Sequence, residues 1–493
     1  MASSPMAMKV RAARGVLWSL VEYGGGEGVS FLVFLVLARL VAPADFGMVA
    51  LAGIFVAFVQ VFLAQGFSDA VIQREALDED HCSTAFWTNV AIALVFLVAT
   101  LLLAQPIAAF FHEPRLATIL RWLSPVFVFT GLNSIHQAVF KRNLQFASFA
   151  LRALAGITAG GIVGVVMALN GYGVWSLVGQ QLANGVVSLL VIWGTSPWRP
   201  RLRFSRGAFG DMARFSFHVI AGNLVKFFYL KTDVFLIGLF ISTQDLGYYT
   251  LVQRLLVTCG LVTQSSVQPI VLPVLARFQN DPARFREGFL TAVRLTQLFW
   301  LPLAVGIGVV ADPMITLFFG AKWAPAVPLM EIMSLIGFTQ LFSYFTAPAL
   351  VALSRPEIVV RITLAQVGIT LVLFVPAALA FGVLGVTAAF TLLYLVIIPI
   401  HVVVLRRVAA IDLPAVIWRC RASLVAGAAM AAAVMLLKTA LGGSMPAPAL
   451  LALLILAGAA VYVATLAAFG RREVREIRDL AAAAIGRRPL ATS

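Results

Sequence analysis

Four charged side chains, Lys226, Lys231, Asp233 and Arg254, lie inside apolar stretches of a 493-residue chain. Buried or half-buried charge of this kind is suited to holding an oppositely charged group away from bulk water. An ammonium offers a point charge, whereas a guanidinium offers a planar fork that can grip a phosphate through two bonds. Lys226 and Asp233 are seven residues apart and so share one face of a helix. One lysine can neutralise Asp233, which leaves positive charge over for an anionic ligand. The competing reading is a structural ion pair beside a lysine whose stem reaches to an interface. Glu22 and Glu27 stand in the first apolar stretch, with Arg39 at its far end. They are candidates for pairing with those cations or for binding a coupling proton or sodium ion. Gly24, Gly25, Gly26 and Gly28 interrupt the same stretch and permit bending or close helix approach.

Other chemistry is poorly supported. The chain lacks GxSxG, HExxH and GxxxxGK[ST] patterns. His81, His112, His136, His218 and His401 are scattered, and Cys82, Cys259 and Cys420 have no metal-ligand spacing. The sequence therefore points away from an enzyme and from any metal or organic cofactor. Arg121, Glu331 and Lys438 sit closer to the ends of apolar runs and are weaker ligand candidates. Amides such as Asn89, Asn133, Gln180 and Asn184 suit helix contacts as readily as ligand bonds.

These residues need elements to position them, and the apolar pattern supplies them. Hydrophobic residues make up 61% of the chain and charged ones 12%, with a mean hydropathy of +0.97. A soluble chain carries about 25% charged residues. About 20 apolar residues in a helix cross a bilayer. Runs of that length fall at 15–38, 46–66, 85–109, 116–138, 148–169, 173–194, 215–239, 246–272, 289–310, 324–350, 358–380, 383–405, 414–438 and 448–469. The first run is read as a retained span, since no clean cleavage site follows it. The formal charge of +15 does not indicate nucleic acid, because the basic residues sit mainly in alternate loops. With the N-terminus in the cytoplasm, 28 of the 36 Lys and Arg residues fall on that side. That is a strong positive-inside bias, and it places both termini in the cytoplasm. The tail RREVREIRDLAAAAIGRR has Val474, Ile477 and Leu480 at helical spacing, as in an amphipathic surface helix.

The chain also repeats itself at an offset of 200 residues. Ala13-Arg14 recurs as Ala213-Arg214, and Asp45-Phe46-Gly47 as Asp245-Leu246-Gly247. Six runs separate the copies, so both start on one side of the membrane as parallel repeats. Such repeats form two bundles flanking a cleft, the geometry of alternating access. The two Asp residues are expected to act as helix-start devices. The expected fold is an all-α polytopic membrane protein with 14 transmembrane helices in two pseudo-symmetric six-helix bundles plus two C-terminal helices. Residues 1–195 form the N-terminal bundle, 196–213 a basic cytoplasmic linker and 214–405 the C-terminal bundle. Helices 13 and 14 follow at 406–470, then the cytoplasmic tail at 471–493.

Several stretches resemble a known family: LARLVAPADFGMVAL at 37–51, GFSDAVIQRE at 66–75, FKRNLQF at 140–146, NGYGVWSLVGQQL at 170–182 and KTDVFLIGLFISTQDLGYYTLVQRL at 231–255. Nearly the whole chain is similar to lipid-linked oligosaccharide flippases of the multidrug/oligosaccharidyl-lipid/polysaccharide exporter superfamily, in the branch of the colanic acid and teichuronic acid exporters. The resemblance implies a secondary transporter of the bacterial inner membrane. It would move an undecaprenyl-diphosphate-linked repeat unit from the cytoplasmic to the periplasmic face, for exopolysaccharide, capsule or lipopolysaccharide synthesis. It implies contact with membrane lipids and with polymerase or export machinery. It also implies no cofactor, and drive from a proton or sodium gradient. Lys226, Lys231 and Arg254 are the cations that fit the family's cationic cavity, with Asp233 beside them. The chain departs from a strongly cationic lumen, since few basic residues lie deep in its first half. Phe227, Phe228, Tyr229, Tyr248 and Tyr249 are candidates for stacking on sugar rings. The alternative is a small-molecule or multidrug antiporter of the same architecture, which would need a cation pocket with exposed carboxylates. A non-transporting assembly scaffold is a third reading.

Overall fold

The structure, a computed structural model, describes residues 24–74, 77–339 and 343–470. Glu22 and the amphipathic tail lie outside them. Within the described residues the chain is helices joined by loops, as backbone in hydrocarbon requires, because a helix satisfies its own N–H and C=O groups. The first unit, up to Thr250, contains α1 (Gly26–Leu40), α2 (Pro43–Val61), a π-helical turn (Phe62–Gly66), α3 (Phe67–Gln73), α4 (Glu79–Phe110), α5 (Pro114–Leu123), α6 (Pro125–Arg142), α7 (Phe146–Leu169), α8 (Val174–Thr195) and α9 (Arg206–Phe240). Helix α10 (Thr243–Arg277) starts in this unit and runs on into the second. The second unit continues with α11 (Pro282–Val309), α12 (Ala311–Phe318), a short 3-10 turn (Ala321–Trp323), α13 (Ala326–Ser334), α14 (Ile336–Thr339), α15 (Ser343–Ala352), α16 (Pro356–Ala409), α17 (Leu413–Leu441) and α18 (Ala447–Phe469).

Every apolar run read from the sequence falls on helix where it is described. Among the described residues, ten helical segments are apolar and long enough to cross a membrane. Helices α9 and α10, at 35 residues each, are not among these ten. Two runs are broken. Residues 116–138 split at Ser124, because Pro125 has no N–H to continue the ladder. Residues 324–350 are interrupted at Leu335, between α13 and α14. Helix α16 spans two runs: Gly382, at φ 59° and ψ −144°, reverses the chain. A Cβ on Gly385 would stand 2.2 Å from the carbonyl oxygen of Ala377, so the reversal is tight as well as left-handed.

Capping follows the sequence. Ser205, Asp78 and Asp281 accept from the backbone N–H groups of Ala208, His81 and Arg284. Proline opens α2, α5, α6, α11 and α16, where its missing N–H costs nothing. The two Asp-x-Gly copies differ. Ser242 Oγ accepts from the Asp245 N–H at 3.0 Å and donates to Asp245 Oδ2 at 2.7 Å, a side-chain cap at the start of α10. The first copy has Ala42 in place of that serine, and α2 starts without a side-chain cap. The expectation that Asp45 caps its helix is therefore corrected; its carboxylate lies beside Gly173 instead.

The repeated glycines are where the copies meet. A Cβ on Gly47 would stand 1.6 Å from the carbonyl oxygen of Thr243, and one on Gly247 1.9 Å from that of Pro43. The contact is reciprocal at the same offset of 200. Each glycine lets the opposing helix start come to backbone distance, with a Cα hydrogen aimed at a carbonyl.

In the first unit, α9 packs along α2, the π turn, α3 and α4. Asn89 on α4 donates to the Leu63 carbonyl inside the π turn at 3.1 Å and to Ser134 Oγ at 2.7 Å. It thereby satisfies a carbonyl in a stretch where the ordinary ladder is disturbed. In the second unit, α11 packs on α17 through Leu298, Leu301 and Val305 against Ala422, Ala426 and Met430. Tyr462 of α18 donates to the Leu298 carbonyl at 2.9 Å.

Candidate functional site

Helix α9 carries three of the charged candidates at different depths. At 1.5 Å per residue, Asp233 lies about 10 Å from the helix end at Phe240, Lys231 about 14 Å and Lys226 about 21 Å. Asp233 is 4% exposed. Its Oδ2 accepts from the Tyr249 hydroxyl at 2.7 Å and its Oδ1 from the Val234 N–H at 2.7 Å. Lys226 is exposed and Lys231 half-buried, and neither makes a hydrogen bond or ion pair among the described residues. The expected pairing of Asp233 with Lys226 or Lys231 is thus not formed, and the Tyr249 hydroxyl is among the donors that meet its carboxylate. The helical phase was right, but the same face is covered near Asp233 and open two turns deeper at Lys226.

Aromatic packing fixes that orientation. Phe227 meets Phe58 at 5.5 Å, and Phe58 and Phe62 both pack on Phe96. This cluster holds one side of α9 against the rest of the unit while Lys226 faces outward. Phe227, Tyr248 and Tyr249 are buried, so they are packing residues rather than the sugar-stacking platforms expected of them. Tyr248 accepts from Gln244 Nε2 at 2.8 Å. Of the five aromatics proposed for stacking, Phe228 is 54% exposed and Tyr229 half-buried. Arg254 is half-buried on α10 and belongs to the second unit. Glu27 is half-buried in the first turn of α1. Since Lys226 and Lys231 have no bonded partner among the described residues, the suggested pairing of Glu27 with either is not formed. No grouping of three metal-ligating side chains occurs among the described residues.

A second polar cluster escaped the sequence reading. Arg74 pairs with Asp211 of α9 at 2.8 Å, His81 lies 3.6 Å from the same carboxylate, and Arg201 pairs with Glu79. Asp78 caps α4, and the bonds it accepts from the His81 N–H and ring hold its carboxyl below the usual carboxylate range. Arg142 donates to the carbonyls of Val71, Ile72 and Arg74 and closes the end of α3. The segment read as a linker is strapped along α4. Ser83 Oγ accepts from the Arg201 N–H, Thr84 Oγ1 accepts from the Ser205 N–H, and Trp87 Nε1 donates to the Arg201 carbonyl. His136, inside a box of Phe86, Trp193 and Trp198, bonds Ser196 at 2.9 Å. Only the small hydroxyl residues at 83 and 84 hinted at this strap.

Set beside known proteins, the chain is 25% identical over 332 residues to the succinoglycan biosynthesis transport protein ExoT of Rhizobium meliloti (strain 1021), covering 67% of each chain. It is 22% identical over 397 residues to the lipopolysaccharide biosynthesis protein WzxC of Escherichia coli (strain K12), covering 79% of this chain and 80% of that one. Its fold is similar to that of a solved structure described as the lipid II flippase MurJ, inward closed conformation. The TM-score is 0.76 at 15% identity, over 93% of this chain and all of that one. The sequence profile of the polysaccharide biosynthesis protein family matches residues 36–328, more than half of the chain. The chain therefore belongs to the polysaccharide biosynthesis protein family, as a multi-pass membrane protein.

Proposed function

We propose that this protein is a secondary transporter that flips an undecaprenyl-diphosphate-linked oligosaccharide repeat unit from the cytoplasmic to the periplasmic face of the inner membrane. It supplies extracellular polysaccharide synthesis and is not an enzyme. The observation that carries the reading is Lys226, an exposed lysine without a bonded partner among the described residues, deep along α9 in a family of polysaccharide biosynthesis. A lysine at that depth is costly against hydrocarbon, by about 2.5–3.5 kcal/mol on insertion scales, so it faces a polar space. A diphosphate has the matching problem, because it cannot shed water in oil unaided. Pairing the two offsets both penalties while the lipid tail stays in the bilayer. Modest binding lets the substrate leave again.

In this reading Lys226 and Lys231 meet the headgroup. Asp233 holds Tyr249 and shapes the wall rather than touching ligand. Arg254 is a phosphate contact in its own unit, and Glu22 and Glu27 are the candidates for ion coupling. The topology is fourteen spans in two six-helix bundles plus α17 and α18, with both termini cytoplasmic and the repeat boundary near 213. Polymerase and export proteins act downstream. The multidrug antiporter alternative needs exposed carboxylates at the site, and the buried, tyrosine-bonded Asp233 does not supply one.

The deciding experiment is reconstitution of the purified protein with defined lipid-linked oligosaccharides, followed by a sidedness assay under imposed proton or sodium gradients. Gradient-dependent appearance of the oligosaccharide on the opposite leaflet is expected. Substrate confined to its original leaflet under every gradient would end the proposal.

A further inference from the structure

The reversal at Gly382 brings the two ends of α16 together, and between them lies a cavity of about 380 Å³. Arg355, Arg361 and Arg407 line it, and the rest of the lining is aliphatic, including Ile358, Ile362 and Val404. The spacing explains the convergence. Residues 355, 358 and 362 share a face of the first arm, and 404, 407 and 408 a face of the second. All three arginines are exposed, and none makes a side-chain hydrogen bond or ion pair among the described residues. Their neighbour Arg406 shows the contrast, since it is paired with Asp412 at 3.2 Å. Glu357, in the first turn of the first arm, bonds none of them.

Three like charges around one small cleft repel each other. An anion with several oxygens relieves that repulsion, and guanidinium forks bind phosphate through paired bonds. The lining contains no carboxylate, amide, hydroxyl or aromatic group. It therefore has nothing with which to read a sugar. The volume is near the lower end of small-ligand sites, roughly 300–1,000 Å³, which fits a phosphoglycerol headgroup. The cleft stands at the ends of two apolar arms, where a bilayer's headgroups lie, and basic pockets between spans in such places bind acidic headgroups. We propose that this cleft is a binding site for an anionic membrane phospholipid. The phosphate sits among Arg355, Arg361 and Arg407, and an acyl chain follows the aliphatic wall. The site is separate from Lys226 and does not depend on what the protein transports.

The test uses the full-length protein, delipidated in detergent. Cardiolipin, phosphatidylglycerol and phosphatidylcholine are added in turn, with bound lipid counted by native mass spectrometry and melting followed in parallel. Wild type is expected to retain cardiolipin or phosphatidylglycerol and melt several degrees higher, with no response to phosphatidylcholine. R355Q/R361Q/R407Q is expected to bind the acidic lipid at least tenfold more weakly. R277Q/R284Q/R406Q removes the same charge elsewhere and is expected to behave as wild type. Should the triple cleft variant fail to fold, R361Q and R407Q singly are expected to give graded losses. Unchanged acidic-lipid binding in the cleft variants would overturn the site. Equal loss in the control variant would reduce it to bulk charge. Displacement of cardiolipin by farnesyl diphosphate in an arginine-dependent way would reassign the cleft to a prenyl diphosphate.

Discussion

At the scale of single residues, the most informative contrast is between Lys226 and Asp233, which share a face of α9 and have opposite fates. Removing Lys226 deletes a charge that bonds nothing among the described residues. Lys226→Gln is expected to leave the melting temperature within a degree or two of wild type, while polymer output falls at least tenfold; Lys226→Arg is expected to restore part of it. Immunoblotting and polysaccharide quantification check this, and full output from the Gln variant would remove Lys226 from the path. Tyr249→Phe is expected to do the reverse. It strips a hydrogen bond from a buried carboxylate, a loss of about 1.5–3 kcal/mol, and should lower the melting temperature of purified protein. The sequence revealed which residue types were unusual for their surroundings. It could not reveal which partner each would find, because Tyr249 reaches Asp233 from another helix. Lys226 was legible as a candidate since a charge amid apolar residues stands out anywhere. The three arginines around the α16 cleft were counted only as topology signals, since at the ends of apolar runs such residues are ordinary.

At the scale of elements, helix positions were legible and their interruptions were not. Apolar runs of about 20 residues announce a spanning helix wherever they occur. The break at Ser124 depends on one proline, and the reversal in α16 on a glycine held at positive φ. Hydropathy alone registers neither. The Gly47 and Gly247 crossing was legible as a repeat but not as a contact. Gly47→Ala or Gly247→Ala would push a methyl group into backbone carbonyl, and overpacking of this kind costs about 1–3 kcal/mol or more. Each variant is expected to melt lower than wild type, whereas Gly53→Ala, with open space at that position, is expected to be neutral. Differential scanning fluorimetry in detergent distinguishes them. Asp78 gives a pH-dependent counterpart. Its folded-state carboxyl is held below the usual range, so its stabilisation is complete above the unfolded value. It is lost as pH falls through the lower, folded value. The stability gap between wild type and Asp78→Asn should thus be present at pH values above the ordinary carboxylate range. Below it, the gap should close. A gap that persisted unchanged well below that range would contradict the cap as its origin.

At the scale of the whole molecule, two divisions of the chain answer different questions. The repeat splits it near residue 213, whereas the contacts split it after Thr250, because α9 and the first turns of α10 pack with the helices that precede them. The repeat is a relation between sequences and can be read from a string. The packing allegiance of α9 rests on the Phe227 cluster and the Asp211–Arg74 pair, and that of the start of α10 on the Gly247 crossing, all long-range contacts. Orientation rests on a third kind of information, the asymmetry of charge between loops. The strap at 197–205 carries Arg199, Arg201 and Arg203, while the turn at 442–446 between α17 and α18 has no charge. The positive-inside rule predicts that these face opposite compartments, with the strap expected in the cytoplasm. Leu202 is 88% exposed and Ser444 is also exposed, so a cysteine at either is open to reagent. In a background lacking Cys82, Cys259 and Cys420, Leu202→Cys is expected to resist a membrane-impermeant maleimide in intact cells and to react after lysis. Ser444→Cys is expected to react in intact cells. If the pattern were inverted, the arginine-rich ends of α16 would lie in the outer compartment, and the direction of transport assigned to the protein would be inverted with them.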